Sequence, residues 1–496
     1  MPALHRISLA AVLTAALSGC YTYNPHRVEF PVATGADCAS GKLIRPCADP
    51  ERLARETTKE YELFYVEFTD QGWSHTTDPR QLEYLTAELW KLVDKQDGGY
   101  DGVNIVLFAH GWKHNAKAGD ENIEEFKKAL VGVSHVEAAK VLKLKSLGQA
   151  QAKPRRVVGV YLGWRGRSLV FGDPILSATF WERKTAATDV SVGASRELFA
   201  RLRVLRETAG RRTVGGSEYA VRFLIVGHSF GGLIVYSATS SNLISDVVSF
   251  QERQQGRDAP WPREGDMILV LNPAFEASRF EPLHRLAEST KPERYETPLF
   301  VSVTTTADWA TRIAFPLGRL FNTFFEAEDT QDEQDADLHT LGHMPAFITH
   351  KLTTLGRFRK LQQSDKPEDQ KWKSVKIPDT GCEEPLSDDA TEEQRLARLA
   401  KELEATQAFF CLDGKCAPRK LLLEKNWVRF FCSGTVLMHV GENPNTLVWN
   451  VQTDDTVMSG HNDITKPQLV DFVRQLYNDA PILAQYQNLR PQAQAR

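Results

Sequence analysis

The sequence predicts an α/β fold, a mostly parallel central sheet with helices on both faces. Three observations carry this. Apolar runs of strand length alternate with stretches of helical periodicity from about residue 60 to 480. Two runs, 103–109 and 221–226, are almost continuously apolar, as strands covered on both faces require. The second ends in Gly227-His228-Ser229-Phe230-Gly231-Gly232 and leads straight into a helix-compatible stretch at 233–238.

The elements follow in order. Residues 61–68 interleave aromatic and β-branched side chains, which predicts a strand. Leu82, Leu85, Leu89, Leu92 and Val93 recur at helical spacing, so 81–93 is a helix. Strand 103–109, helix 121–131, strand 156–162 and helix 186–208 come next, then strand 221–226 and the helix after the glycine turn. Two further strands lie at 267–271 and 299–303, a last one at 446–451, and a helix closes the series at 467–477. No internal repeat interrupts it. The charged, proline- and cysteine-bearing stretch 362–420 holds one amphipathic helix at 392–405, with Leu396, Leu399 and Leu403 on one stripe. It reads as an insertion before the last strand, packed on the core. The expected layout is a core in two parts, 56–361 and 441–482, separated by an insertion or cap at 362–440 and followed by a tail at 483–496.

The N-terminus reads as a processing segment. His5 and Arg6 precede an apolar run at 7–17 that is too short for a permanent membrane span. Leu17-Ser18-Gly19-Cys20 then resembles a bacterial lipobox. The resemblance implies a signal peptide at 1–19, lipidation of Cys20, and a tether at 20–55. Tyr21 rather than aspartate after the cysteine implies sorting to the outer membrane, facing the periplasm. No later segment is long and apolar enough to span a bilayer.

Six cysteines remain, an even number, which in an exported chain suggests disulfides. Proximity favours Cys38 with Cys47 and Cys411 with Cys416, leaving Cys382 for Cys432; reduced, buried thiols are the alternative. No cysteine lies beside a histidine at zinc-ligand spacing. The 496 residues carry a formal net charge of −4, which gives no reason to expect nucleic acid as a partner. At 42% hydrophobic residues the chain can bury a large core.

The chemistry concentrates in four places. A serine hydroxyl is a weak nucleophile near neutral pH, so it needs exposure on a sharp turn and a base beside it. Ser229 stands on such a strand–turn–helix junction, and Gly227 and Gly231 leave room for the strand and helix to close around it. Asp308 lies in the turn Thr305-Thr306-Ala307-Asp308-Trp309 after strand 299–303, with Glu276 after the preceding strand as the alternative acid. His461 lies in the loop between the last strand and the closing helix, whereas His343, His350 and His439 read as structural or surface groups. Phe108-Ala109-His110-Gly111-Trp112 turns sharply at the end of strand 103–109. His110 and His114 are not a metal pair, because four-residue spacing brings ligands together on a helix and not in a Gly-Trp loop.

Together these residues resemble the α/β-hydrolase superfamily across about residues 60–480, and the Gly-His-Ser-x-Gly-Gly form is most like its lipases and esterases. The resemblance implies a serine hydrolase with no cofactor and no metal. Ser229 would be the nucleophile, His461 the base, and Asp308 the acid that orients it, with the backbone N–H groups of Trp112 and Phe230 as the oxyanion hole. Trp112, Phe230 and Trp309 suggest an apolar acyl pocket, hence a lipophilic or acyl ester as substrate. An acyltransferase on the same residues is one alternative. A silent envelope scaffold, binding a protein partner through the insertion, is the other. The segments 163–167 and 180–184, rich in aromatics and arginines, either cover the site and bind an acyl or anionic group, or are core aromatics and surface charges.

Overall fold

The apolar runs of the sequence become the middle of one sheet. The computed structural model describes residues 24–30 and 49–488, apart from 78–79, 95–98, 147, 149, 168–179, 211–220, 258–264, 293–296, 323–328, most of 379–409, 413–414, 417–424 and 433. The described strands are β1 (Arg55–Thr57), β2 (Tyr61–Glu67), β3 (Val103–Ala109), β4 (Arg156–Gly163), β5 (Val221–His228), β6 (Met267–Leu271), β7 (Phe300–Thr305), β8 (His350–Thr354), β9 (Phe410–Leu412), β10 (Lys415–Cys416), β11 (Val428–Phe430), β12 (Thr435–His439) and β13 (Val448–Thr453). Their order across the sheet is β1-β2-β4-β3-β5-β6-β7-β13-β8-β12-β11-β9-β10. From β2 to β8 every neighbouring pair is parallel. The last four strands continue the sheet antiparallel, and β1 pairs antiparallel at the other edge.

Parallel strands need long crossovers, and helices supply them. They are α1 (Gln81–Asp94), α2 (Glu121–Ser146), α3 (Phe180–Val192), α4 (Ser195–Gly210), α5 (Phe230–Gln254), α6 (Glu281–Ser289), α7 (Phe315–Asn322), α8 (Gln331–Leu338), α9 (Leu355–Gln362) and α10 (Pro467–Asn488). Alternation along β3 shows why its run is almost continuously apolar. Ile105 and Leu107 face α1, α4 and α5 through Leu85, Leu202 and Leu233. Val106 and Phe108 face the opposite layer, where Phe126 and Leu130 of α2 pack near Phe472 of α10. The fold is therefore α/β, with a large and mostly parallel sheet between helical layers.

Two expectations change. The single helix expected at 186–208 divides into α3 and α4 at Gly193. There the backbone of Gly72 lies so close that a Cβ on Gly193 would sit 2.3 Å from its carbonyl oxygen, and Ala194 N donates to that oxygen at 2.7 Å. The stretch 362–440, expected as an insertion or cap, supplies strands β9 to β12 to the sheet itself, beside β8. Phe358, Trp372, Val428, Phe430 and Val436 form a small core of their own beneath that extension. The amphipathic helix expected at 392–405 lies mostly outside the described residues. Cys432 is disulfide-bonded, and the side chains of the other cysteines lie outside the described residues.

Because the central strands are parallel, their C-terminal ends share one edge, and loops from β3, β5, β6, β7 and β13 converge there. The chain also enters at this edge. His26 N and Arg27 N donate to the carboxylate of Glu67 at the end of β2, at 3.0 and 2.8 Å, and Arg27 Nε donates to Ala116 O in the loop after β3 at 2.8 Å. No helix among the described residues is long and apolar enough to cross a membrane.

Candidate active site

Ser229 occupies the one-residue junction between β5 and α5 at φ 55°, ψ −119°. A side chain at such a backbone costs on the order of 1–3 kcal/mol and persists only where its surroundings enforce it. Here they do. Ser229 N donates to Leu271 O of β6 at 3.0 Å, and Ala274 N donates to Ser229 O at 3.2 Å. Gly231 packs so tightly under β3 that a Cβ there would lie 1.9 Å from Ala109 O. A Cβ on Gly111 would come within 2.9 Å of Ser229 Cβ, which places the loop after β3 directly against the serine.

Three side chains from three loops meet at this point. Ser229 Oγ lies 2.9 Å from His461 Nε2, and His461 Nδ1 lies 2.7 Å from Asp308 Oδ2. Nδ1 must donate to the carboxylate, so Nε2 is the lone-pair nitrogen and the serine hydroxyl donates to it. Asp308 is fully buried. Burial alone would raise its pKa, but the hydrogen bond and charge of His461, and then Thr311, outweigh burial and hold it below the ordinary value. Its oxygens also accept from Ala310 N at 2.9 Å, Thr311 N at 3.2 Å and Thr311 Oγ1 at 2.5 Å. His343 Nε2 lies 3.0 Å from Thr311 Oγ1 and extends the chain by one member.

The histidine loop is held from behind. His461 O accepts from His228 Nε2 at 2.9 Å and from Asn272 Nδ2 at 2.8 Å. Asn272, at φ 42° just past β6, uses its Oδ1 to accept from Thr305 N of β7 at 3.0 Å. Thr305 Oγ1 donates to Met458 O at 2.7 Å, so β6, β7 and the loop after β13 are pinned together. Burial, and then the neighbouring His461, push the pKa of His228 down to about 3, so it stays a neutral donor. Asn272, Thr305, Thr311 and the bonds of His228 and His343 belong to no motif in the sequence. An asparagine directly after a strand was the only visible signal, since asparagine tolerates positive φ better than most side chains.

The alternative acid lies elsewhere. Glu276 is bound by Lys184, by Arg279 at 2.9 Å and by Arg319 at 3.3 Å. Burial would raise its pKa, but these cations, Lys184 first, bring it down to about 2. Asp308 and not Glu276 bonds His461. Phe230 is buried at the head of α5, with Phe180 4.8 Å away and Trp112 in turn 5.4 Å from Phe180, between ring centroids. Trp309 departs from the expected pocket: it is 67% exposed, while Thr311 and Phe315 take the inward positions.

His110 is committed to the structure. Its Nδ1 bonds Gly111 O at 2.9 Å, its Nε2 accepts from Trp164 N at 3.2 Å, and its ring stacks on Trp164. Neither ring nitrogen is left for a metal. The aromatics of 180–184 join the wall beside Phe230, with Trp181 5.2 Å from Phe180. The arginines converge on Asp70 instead, through Arg165 and, at 2.9 Å, Arg183.

No family model matches the chain, and no curated protein matches it. Among solved structures, the phospholipase PlaB from Legionella pneumophila is similar at 14% identity and a TM-score of 0.19, over 51% of this chain and 47% of that one. The match thus spans about half of each protein, and at that score it carries no argument about fold family or activity.

Proposed function

We propose that the protein is a serine hydrolase of the α/β-hydrolase type that cleaves carboxylic esters. The observation that carries this reading is the unbroken chain from Ser229 Oγ through His461 to Asp308, at 2.9 and 2.7 Å, on a serine at positive φ. His461 takes the hydroxyl proton as Ser229 attacks the ester carbonyl. Negative charge then develops on the carbonyl oxygen. The N–H groups of Phe230, at the first position of a helix, and of Trp112 are the proposed donors to it, each worth about 3 kcal/mol of barrier. Collapse expels the alcohol, which leaves with the proton from His461. Water then repeats the sequence on the acyl-enzyme, and Ser229 is regenerated.

The aromatic wall of Trp112, Phe180 and Phe230 favours an acyl or aryl group in the substrate. Lipidation of Cys20 and attachment to the outer membrane belong to the same proposal, and bring the enzyme to lipophilic esters. Turnover of a p-nitrophenyl ester series tests it. Hydrolysis that Ser229→Ala abolishes, without change in the unfolding midpoint, is the expected result. Undiminished hydrolysis by Ser229→Ala overturns it.

A further inference from the structure

The segment that follows Asp308 carries apolar side chains on its outer face as well as its inner one. Inward, Thr311 and Phe315 are buried, and a Cβ on Gly318 would fall 2.1 Å from the ring of Trp181. Outward, Trp309, Ile313 and Leu317 recur every fourth residue and are 67%, 41% and 55% exposed. Large apolar side chains exposed side by side on one face are ordinarily covered by a partner or a membrane. Trp73, 73% exposed in the loop after β2, stands at the same edge of the sheet.

What covers this face is indicated by where the chain enters. His26 and Arg27 are bonded to the C-terminal end of β2 and the loop after β3, and Asn24 before them is exposed. Cys20 is four residues earlier, so at most about 14 Å of extended chain separates it from Asn24. A lipid on Cys20 would therefore bring a bilayer to the very edge that bears Ser229 and the exposed apolar residues. Tryptophan with aliphatic neighbours suits that depth, since its ring sits stably at the headgroup boundary.

We propose that Trp309, Ile313 and Leu317 form a membrane-docking face that seats in the headgroup region of a lipid bilayer and turns the mouth of the Ser229 site toward it. The exposed Arg312 on the same segment would meet anionic headgroups. The proposal rests on the lipid-anchor reading for one of its two supports, and on the hydrolase reading for none. The test separates them by using protein without lipid.

Residues 21–496, which keep every described contact, are sedimented with large unilamellar vesicles of phosphatidylethanolamine and phosphatidylglycerol. Wild type and Ser229→Ala should partition alike. Ile313→Asp with Leu317→Asp should lower the partition coefficient at least tenfold, with turnover of a short water-soluble ester within twofold of wild type. Wild type that remains in the supernatant, or a double variant that sediments equally, overturns the proposal. Should the double variant unfold, brominated phosphatidylcholine decides. Quenching of wild-type fluorescence should contain a component that Trp309→Phe lacks, and equal quenching of the two proteins overturns the proposal.

Discussion

The side-chain amide of Asn272 donates to the main-chain carbonyl of His461 at 2.8 Å, so the imidazole is fixed through its own backbone as well as through Asp308. Asn272 is completely buried and also accepts from Thr305 N. It thereby ties the distance between β6 and β7 to the position of the base.

Asn272→Ala should let the histidine loop drift. A displacement of about 1 Å at a reacting group costs on the order of 100-fold in rate. The expected outcome is a fall in kcat of about 10- to 100-fold with KM little changed, read from initial rates on a soluble ester. A change confined to KM would mean that the residue shapes the pocket and not the base.

Asp308→Asn and Glu276→Gln should separate cleanly. The first removes the charge that orients and stabilises His461 and should cost about 10⁴-fold in kcat with the fold intact. The second leaves Lys184 buried beside a neutral group, and breaking such a pair costs roughly 3–5 kcal/mol of stability. Denaturant midpoints and kcat measured on both proteins check this. A larger kcat loss in a stable Glu276→Gln would reverse the assignment.

Acid should destabilise the fold early. Burial holds His110 at about 4, His228 at about 3 and His343 at about 4, against 6.5 for an unperturbed histidine. Each is neutral in the folded chain while its unfolded counterpart binds a proton below 6.5. Their stabilising contribution is thus present above pH 6.5 and is lost as pH falls toward the folded values, by up to about 1.4 kcal/mol per pH unit for each group. Urea midpoints between pH 7.5 and 5 should fall steeply, and less steeply in His343→Gln. A flat profile over that range would contradict it.

Gly231→Ala should prevent the turn from closing, because its Cβ would stand 1.9 Å from Ala109 O. Overpacking of this kind costs at least about 1–3 kcal/mol. A lowered denaturant midpoint together with loss of ester turnover is expected, and a variant with wild-type values of both would contradict the close approach of α5 to β3.

The positions of the central parallel strands along the chain were its most legible part. Almost continuous apolar runs mark β3 and β5 because both of their faces are covered. Once the strands are counted, the loops that carry Ser229, Asp308 and His461 fall at one edge. The antiparallel extension was not legible because its strands are only two to five residues long: β10 reads Lys-Cys, β11 Val-Arg-Phe, and β12 has three apolar residues in a row. The break at Gly193 depends on Gly72, distant in sequence, whose backbone occupies the space of a side chain. Asn272, Thr311 and His343 acquire partners only when loops far apart in the chain converge, and no local pattern marks that. Trp309 shows the limit of placing a residue by adjacency, for it follows Asp308 directly yet faces outward.

The central claim is that Ser229 is an activated nucleophile, and covalent capture tests it most directly. Residues 21–496 treated with a fluorophosphonate probe should gain one adduct by intact mass. Peptide mapping should place it on Ser229, and Ser229→Ala should gain none. Folded wild-type protein that stays unlabelled in the presence of detergent micelles, or an adduct carried equally by Ser229→Ala, would contradict the account.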